Sequence, residues 1–168
     1  MKIIIAKTSG FWMGVRRAVE MVLDAPEEHL NPISTYGPLI HNPQVLEILK
    51  EKGITAFNEP PTQGSGTVLI RAHGVPPETR NELEEVGFNV IDATCRRVIQ
   101  VQTFIKRHLK KGFASIIVGD SNHPEVIGLH GYGGDKSYVA KKLDELMALP
   151  PFENAIIVAQ TTLNTHLW

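Results

Sequence analysis

At 168 residues and 18.6 kDa the chain is sized for one domain or two small ones, since domains commonly run ~100–200 residues. Its 42% hydrophobic and 21% charged residues are ordinary for a soluble globular protein and exclude a disordered or fibrous chain. A formal net charge of -1 lacks the basic surplus of a nucleic-acid binder, and no apolar run approaches the ~20 residues of a membrane helix.

The opening Met1-Lys2-Ile3-Ile4-Ile5-Ala6-Lys7 is too short for the apolar region of a signal peptide, and no small-residue cleavage site follows. The single cysteine, Cys95, excludes an intramolecular disulfide framework and a metal site of paired cysteines. The cytoplasm is the expected location.

Short β-branched runs then alternate with amphipathic stretches. Ile3-Ile4-Ile5 precedes a helical pattern at 13–23, Gly66-Thr67-Val68-Leu69-Ile70 precedes one at 78–86, and Val90-Ile91-Asp92 precedes one at 98–109. Ser115-Ile116-Ile117-Val118-Gly119 leads into 125–130, and Ala155-Ile156-Ile157-Val158 lies near the end. Apolar strands alternating with helices predict βαβ units, an α/β fold of parallel sheets covered on both faces. In 98–109, Val98, Val101, Phe104, Ile105 and Leu109 follow the 3.6-residue period. Breakers fall at the expected boundaries: Pro76-Pro77 before one helix, Gly87 after it, Gly112 after the next.

The chain also echoes itself. His41-Asn42-Pro43-Gln44-Val45 and His123-Pro124-Glu125-Val126 each open a helical stretch. Some way after each, an apolar strand runs into a polar tip, Ala72-His73-Gly74-Val75 or Ala159-Gln160-Thr161-Thr162. A duplicated α/β unit with its joint near residues 92–97 is the natural reading.

In open parallel sheets, ligands sit beyond the carboxyl ends of the strands. The unusual polar residues gather there: Thr8-Ser9-Gly10, His73, Thr94-Cys95, Asp120-Ser121-Asn122-His123 and Gln160-Thr161-Thr162. Such donors at helix starts would make an anion pocket suited to a small diphosphate. The same residue types are also the preferred helix N-caps, worth ~1 kcal/mol each with or without a ligand. Cys95 has two readings as well, a small buried hydrophobe or a thiolate favoured by a helix start. A mononuclear zinc site of Cys95 with two of His41, His73 and His123 has no local spacing to support it.

Taken in order, Gly10-Phe11-x-x-Gly14-Val15-x-Arg17-Ala18, Ile40-His41-Asn42, Ala72-His73-Gly74-Val75, Asp92-Ala93-Thr94-Cys95, His123-Pro124-Glu125-Val126 and Gln160-Thr161-Thr162-Leu163 resemble the motif series of the hydroxymethylbutenyl diphosphate reductases. These are the iron–sulfur enzymes that end the non-mevalonate isoprenoid pathway. The resemblance implies three similar α/β domains around a cavity and a four-iron four-sulfur cluster held by three cysteines. An isoprenoid diphosphate would be the substrate, and a ferredoxin or flavodoxin the electron donor. By that resemblance His41, His73 and His123 would hold the diphosphate, Glu125 would deliver protons, Thr161 would orient the substrate or a water, and Cys95 would be a cluster ligand.

Two departures follow from the same resemblance. Trp12 stands where the family has a cysteine, and an indole N–H is a donor only. The third cluster cysteine belongs to a C-terminal domain absent from these 168 residues. The chain is therefore read as a fragment or degenerate relative with an opening strand at 1–12 and α/β lobes at 13–95 and 96–168. It is expected to hold no stable cluster and to perform no reduction alone. Two other readings stand beside this one: a non-redox binding module for a small diphosphate or other anion, and an interaction protein whose tips are only caps. An unpaired apolar strand at 2–6 would favour self-association, with no nucleic acid and no membrane as partner.

Overall fold

The computed structural model describes residues 13–40 and 42–163. The expected opening strand, its proposed role in self-association, Trp12 and His41 lie outside the described residues.

The chain opens on α1 (Met13–Glu28), whose Ala18, Val22 and Ala25 are fully buried at the four- and three-residue steps that keep one face on a core. Strand β1 (Ile33–Tyr36) follows, then α2 (Pro43–Glu51) and β2 (Thr55–Phe57). Asn42 starts α2 by accepting the Val45 N–H at 3.1 Å, an N-cap backed by Pro43 in the first turn. Next come β3 (Thr67–Ile70), α3 (Pro77–Glu85) and β4 (Asn89–Asp92). The four strands form one parallel sheet in the order β2-β1-β3-β4.

A second sheet is built the same way. After α4 (Arg96–Leu109) come β5 (Ala114–Val118), α5 (Pro124–Gly133), a 3-10 turn at Gly134–Lys136, β6 (Ser137–Ala140), α6 (Leu143–Met147) and β7 (Ala155–Ala159). The order is β6-β5-β7, all parallel. The orders β2-β1-β3 and β6-β5-β7 correspond, with α1 matching α4 and α2 matching α5. The internal echo is thus a repeated topology, and each sheet has its own apolar cluster.

Two expectations need correction. Phe104 does not face the core. The buried stripe of α4 is Val98, Gln102 and Ile105, while Phe104 is 44% exposed and leans on His108 with ring centroids 4.2 Å apart. It lies roughly a third of a turn from that stripe at 3.6 residues per turn. Second, β7 is an edge strand covered on one face only: Ile156 and Val158 are buried, but Ile157 is 53% exposed. Four elements went unread in the sequence, β1, β2, β6 and α6, which carry no long apolar run. In β1 and β6 inward places are taken by Ser34, Thr35 and Ser137, all buried, with hydroxyls satisfied locally. Ser34 Oγ donates to Thr67 O at 3.3 Å, Thr35 Oγ1 to Gly37 O at 2.9 Å, and Ser115 Oγ to Ser137 Oγ at 3.1 Å. Among the described residues no helix is long and apolar enough to cross a membrane.

The two lobes meet where the loop after β3 is wedged between α4 and α5. Gly74, at φ +76, could not carry a Cβ: it would lie 2.6 Å from Gln102 Nε2. On α5, a Cβ at Gly128 would sit 3.5 Å from Gly74 C and Val75 N, and one at Gly131 would come to 2.6 Å of Pro76 Cβ. Backbone therefore packs on backbone, drawing the carboxyl ends of both sheets together. Gly131→Val should force this joint apart and lower stability by about 1–3 kcal/mol, the usual cost of overpacking, read as a lower urea midpoint. An unchanged midpoint would mean the lobes are not held there.

Candidate functional site

The registers align the strand ends. Tyr36 pairs with Ile70 and Ile70 with Asp92 in the first sheet, and Val118 with Ala140 and Ala159 in the second. The residues that follow each strand thus emerge on one side of their sheet, and the glycine joint turns the two sides toward each other.

Four of the six residues predicted for a site line one pocket. His73, Cys95, Glu125 and Thr161 surround a space of about 100 Å³, with Arg97 and Thr162 beside them. That volume admits a group of a few heavy atoms, less than the ~300–1,000 Å³ of a whole small-molecule site. His123 stands next to it: its ring meets that of His73 edge to face at 5.5 Å. The Nδ1 of His123 accepts the Glu125 N–H at 3.2 Å, so the neutral ring carries its proton on Nε2 and has that N–H left to donate.

Glu125 is the least ordinary residue of the set. It lies in the first turn of α5 behind Pro124, where the helix dipole favours a carboxylate, yet it is only 2% exposed. Both of its oxygens are held by Thr161, Oε1 by the backbone N–H at 2.6 Å and Oε2 by Oγ1 at 2.7 Å. A carboxylate placed only to suit the dipole would gain as much in solvent. This one is buried against a loop 36 residues away in sequence, at a desolvation cost that only paired donors offset. Thr161 thus gives the carboxylate two donors, one from its backbone and one from its side chain.

Supporting contacts fix the two lips. Gln160 Oε1 accepts the Asp120 N–H at 3.2 Å and its Nε2 donates to Thr162 Oγ1 at 2.8 Å, tying the loop after β5 to that after β7. Cys95 is the N-cap residue of α4, without a side-chain capping bond, and is half-buried. Its N–H donates to Ala72 O at 2.9 Å, joining the Cys95 tip to the His73 tip. A Cβ at Gly14 would overlap Cys95 Sγ, so only glycine lets α1 start so close to the thiol. Asp92 Oδ1 steadies the same turn by accepting the Thr94 N–H at 2.9 Å.

Gln160 belongs to a polar tip the sequence already marked, whereas Arg97 was not singled out as a site residue. Arg97 follows Cys95 in Cys95-Arg96-Arg97, so adjacency to a tip was the available signal. Among the described residues, which leave out His41, no three histidine, cysteine, aspartate or glutamate side chains are grouped to hold a metal ion. Iron–sulfur clusters are held by thiolates, and Cys95 is the one cysteine of the sequence. The donors present do not fit a cubane held by this chain alone.

The family described as LytB protein matches residues 3–168. The 4-hydroxy-3-methylbut-2-enyl diphosphate reductase of Alkaliphilus oremlandii is 38% identical over 169 residues, covering 100% of this chain and 61% of that protein. The reductase of the same name from Opitutus terrae is 41% identical over 177 residues, covering 99% and 61%. A solved structure of (E)-4-hydroxy-3-methyl-but-2-enyl diphosphate reductase, the terminal enzyme of the non-mevalonate pathway, superposes with a TM-score of 0.85 at 41% identity, over 98% of this chain and 59% of that one. The corresponding reductase from Plasmodium falciparum gives 0.86 at 26% identity, over 95% and 51%. The chain thus spans about three fifths of the length of the curated relatives it matches.

Thr161→Val keeps the shape of the side chain but leaves Glu125 Oε2 without its hydroxyl donor. The expected cost is about 1–3 kcal/mol, that of a buried group losing its partner, in urea unfolding at unchanged slope. Thr161→Ser should recover most of it. A loss below about 0.5 kcal/mol, the range of surface substitutions, would mean that the carboxylate reaches water.

Proposed function

The chain belongs to the LytB protein family, and from that premise we propose that it forms the diphosphate-binding part of a hydroxymethylbutenyl diphosphate reductase, built from lobes at 13–95 and 96–168. The observation that carries this reading is the buried Glu125–Thr161 clasp, lining one pocket with His73 and Cys95.

In this reading the imidazoles of His73 and His123, together with His41, donate to the diphosphate. Neutral imidazole N–H groups and helix starts suit a dianionic end, and the Nε2–H of His123 is the donor its cap bond leaves over. The small pocket takes the allylic hydroxyl end of the molecule. There Glu125 supplies a proton through Oε2, with Thr161 Oγ1 as its neighbour in the relay. Loss of the hydroxyl as water by the family's reaction consumes two protons and two electrons. The protons have an evident route.

The electrons do not. With Trp12 at the position of a family cysteine and Cys95 as the one thiol, this chain by itself is read as a binder of the diphosphate that does not reduce it. The interaction-protein reading fares worse, because a cap explains neither the burial of Glu125 nor its partner on β7's loop.

Calorimetry with isopentenyl diphosphate tests the pocket. His73→Ala and His123→Ala should each weaken binding about tenfold or more, as charge-assisted hydrogen bonds are worth ~1.5–3 kcal/mol and 1.4 kcal/mol is a factor of ten. Equal affinity in both variants would remove the pocket. Anaerobic reconstitution with iron and sulfide should leave the chain without stoichiometric iron or the broad visible absorbance of a cluster. Appearance of both would overturn the non-redox part alone.

A further inference from the structure

The two lobes repeat one topology but not to the same extent. The first sheet has four strands, β2-β1-β3-β4, and the second has three, β6-β5-β7. By that correspondence β7 stands where β3 does, and among the described residues it has no partner in the place of β4. We infer that the open edge of β7 is a docking surface for a helix followed by a parallel strand, a segment of the α3–β4 kind.

Equivalent positions in the two lobes differ in burial. Val68 pairs with Ser34, two places before the end of β1, and Ile157 pairs with Ile116, two places before the end of β5. Val68 is 0% exposed and Ile157 is 53% exposed. In the first lobe β4 lies beside β3, and α3 packs against β4, so β3 is enclosed. Isoleucine and valine at every central place of β7 are the pattern of a strand covered on both faces.

Apolar hollows flank β7 on both sides of its sheet. Successive side chains of a strand point to opposite faces, so Ile157 and Val158 face apart. On one side Ile157 shares a hollow of about 240 Å³ with Val118, Leu143 and Leu146. On the other, Val158 lines a shallow groove with Val101 and Phe104 of α4, the ring that leans out of its own core. In the first lobe the outer strand fills such a place, since Ile91 of β4 packs on the core. A fourth strand beside β7 would cover Phe104 and Val158 in the same way.

Chirality decides which hollow takes the helix. Strand–helix–parallel strand connections within one sheet are right-handed in ~98% of cases. From β5 to β6 the connection runs one way along the sheet through α5, whose Val126 and Leu129 share a core with Val158. A connection from β7 to a further strand runs the opposite way, so its helix falls on the opposite face, over Ile157, Leu143 and Leu146. Such a crossover takes ~12 or more residues. The reductases of Alkaliphilus oremlandii and Opitutus terrae have about two fifths of their length outside the part this chain matches, ample for it. The occupant is therefore a helix with an apolar stripe and a β-branched strand from that remainder. Diphosphate and cluster play no part here, so the edge stands or falls independently of the proposed function.

The probe is a peptide of about 30 residues, the span of a strand–helix–strand unit, taken from the Alkaliphilus oremlandii reductase starting at the residue matched to Leu163. In the 168-residue chain alone, a monomer by sedimentation, the amides of β7 should exchange with solvent faster than those of β5, as an open edge does. The peptide should slow exchange across residues 155–159 at least tenfold, and a scrambled peptide should not. Ile157→Lys and Leu143→Lys should each weaken peptide binding at least tenfold yet melt like wild type, since both side chains are more than half exposed. Ile48→Lys, at an exposed isoleucine of α2, should bind within about twofold of wild type. Exchange from β7 as slow as from β5 in the free chain overturns the inference. So does a peptide that leaves β7 unprotected, or equal affinity in the Ile157 and Leu143 variants. A dimer that protects β7 without peptide would give the edge to a second copy, and would overturn it equally.

Discussion

The structure depends on one contact, the packing of α5 through Gly128 and Gly131 onto the loop Gly74-Val75-Pro76. Neither sheet makes a site by itself. The first ends in His73 and Cys95, the second in His123, Glu125 and Thr161, and these meet only because backbone lies directly on backbone between them. A side chain at Gly131 would run into Pro76, its first carbon 2.6 Å from Pro76 Cβ. Packing and function are coupled here at the level of missing Cβ atoms.

The Glu125–Thr161 clasp shows what that closeness permits. A carboxylate in the first turn of a helix is common and gains from the dipole. Burying it beside a hydroxyl and an amide of another loop costs desolvation that only a well-satisfied geometry offsets. A wider hollow adjoins this pocket, with Gly14, Cys95 and Arg97 as the common wall.

Much of this was legible in the sequence, for physical reasons that can be named. Strands β3 and β5 stood out because both of their faces are buried, so Val68-Leu69-Ile70 and Ile116-Ile117 are unbroken apolar runs. The tips after them were legible because histidine, cysteine and glutamate have no need to follow a buried strand. Strands β1 and β6 were not, because Ser34, Thr35 and Ser137 occupy their inward places with hydroxyls satisfied inside the fold. Phe104 misled, since a helix stripe counted by residue type cannot tell that Gln102 takes the buried position. The wider hollow was illegible because Arg16-Arg17 and Arg96-Arg97, which line it, lie some eighty positions apart.

The family resemblance and the residue-level reading agree on the pocket and part over electrons. A single thiol limits what these residues can hold, while the proposed diphosphate contacts do not depend on it. The central claim is therefore that the ends of both sheets grip one ligand. A crystal structure of the chain with isopentenyl diphosphate tests it most directly. The account requires phosphate oxygens within about 2.7–3.2 Å of imidazole nitrogens from both lobes, the range of a hydrogen bond. A diphosphate bound by one lobe alone, or away from His73 and His123, would contradict it.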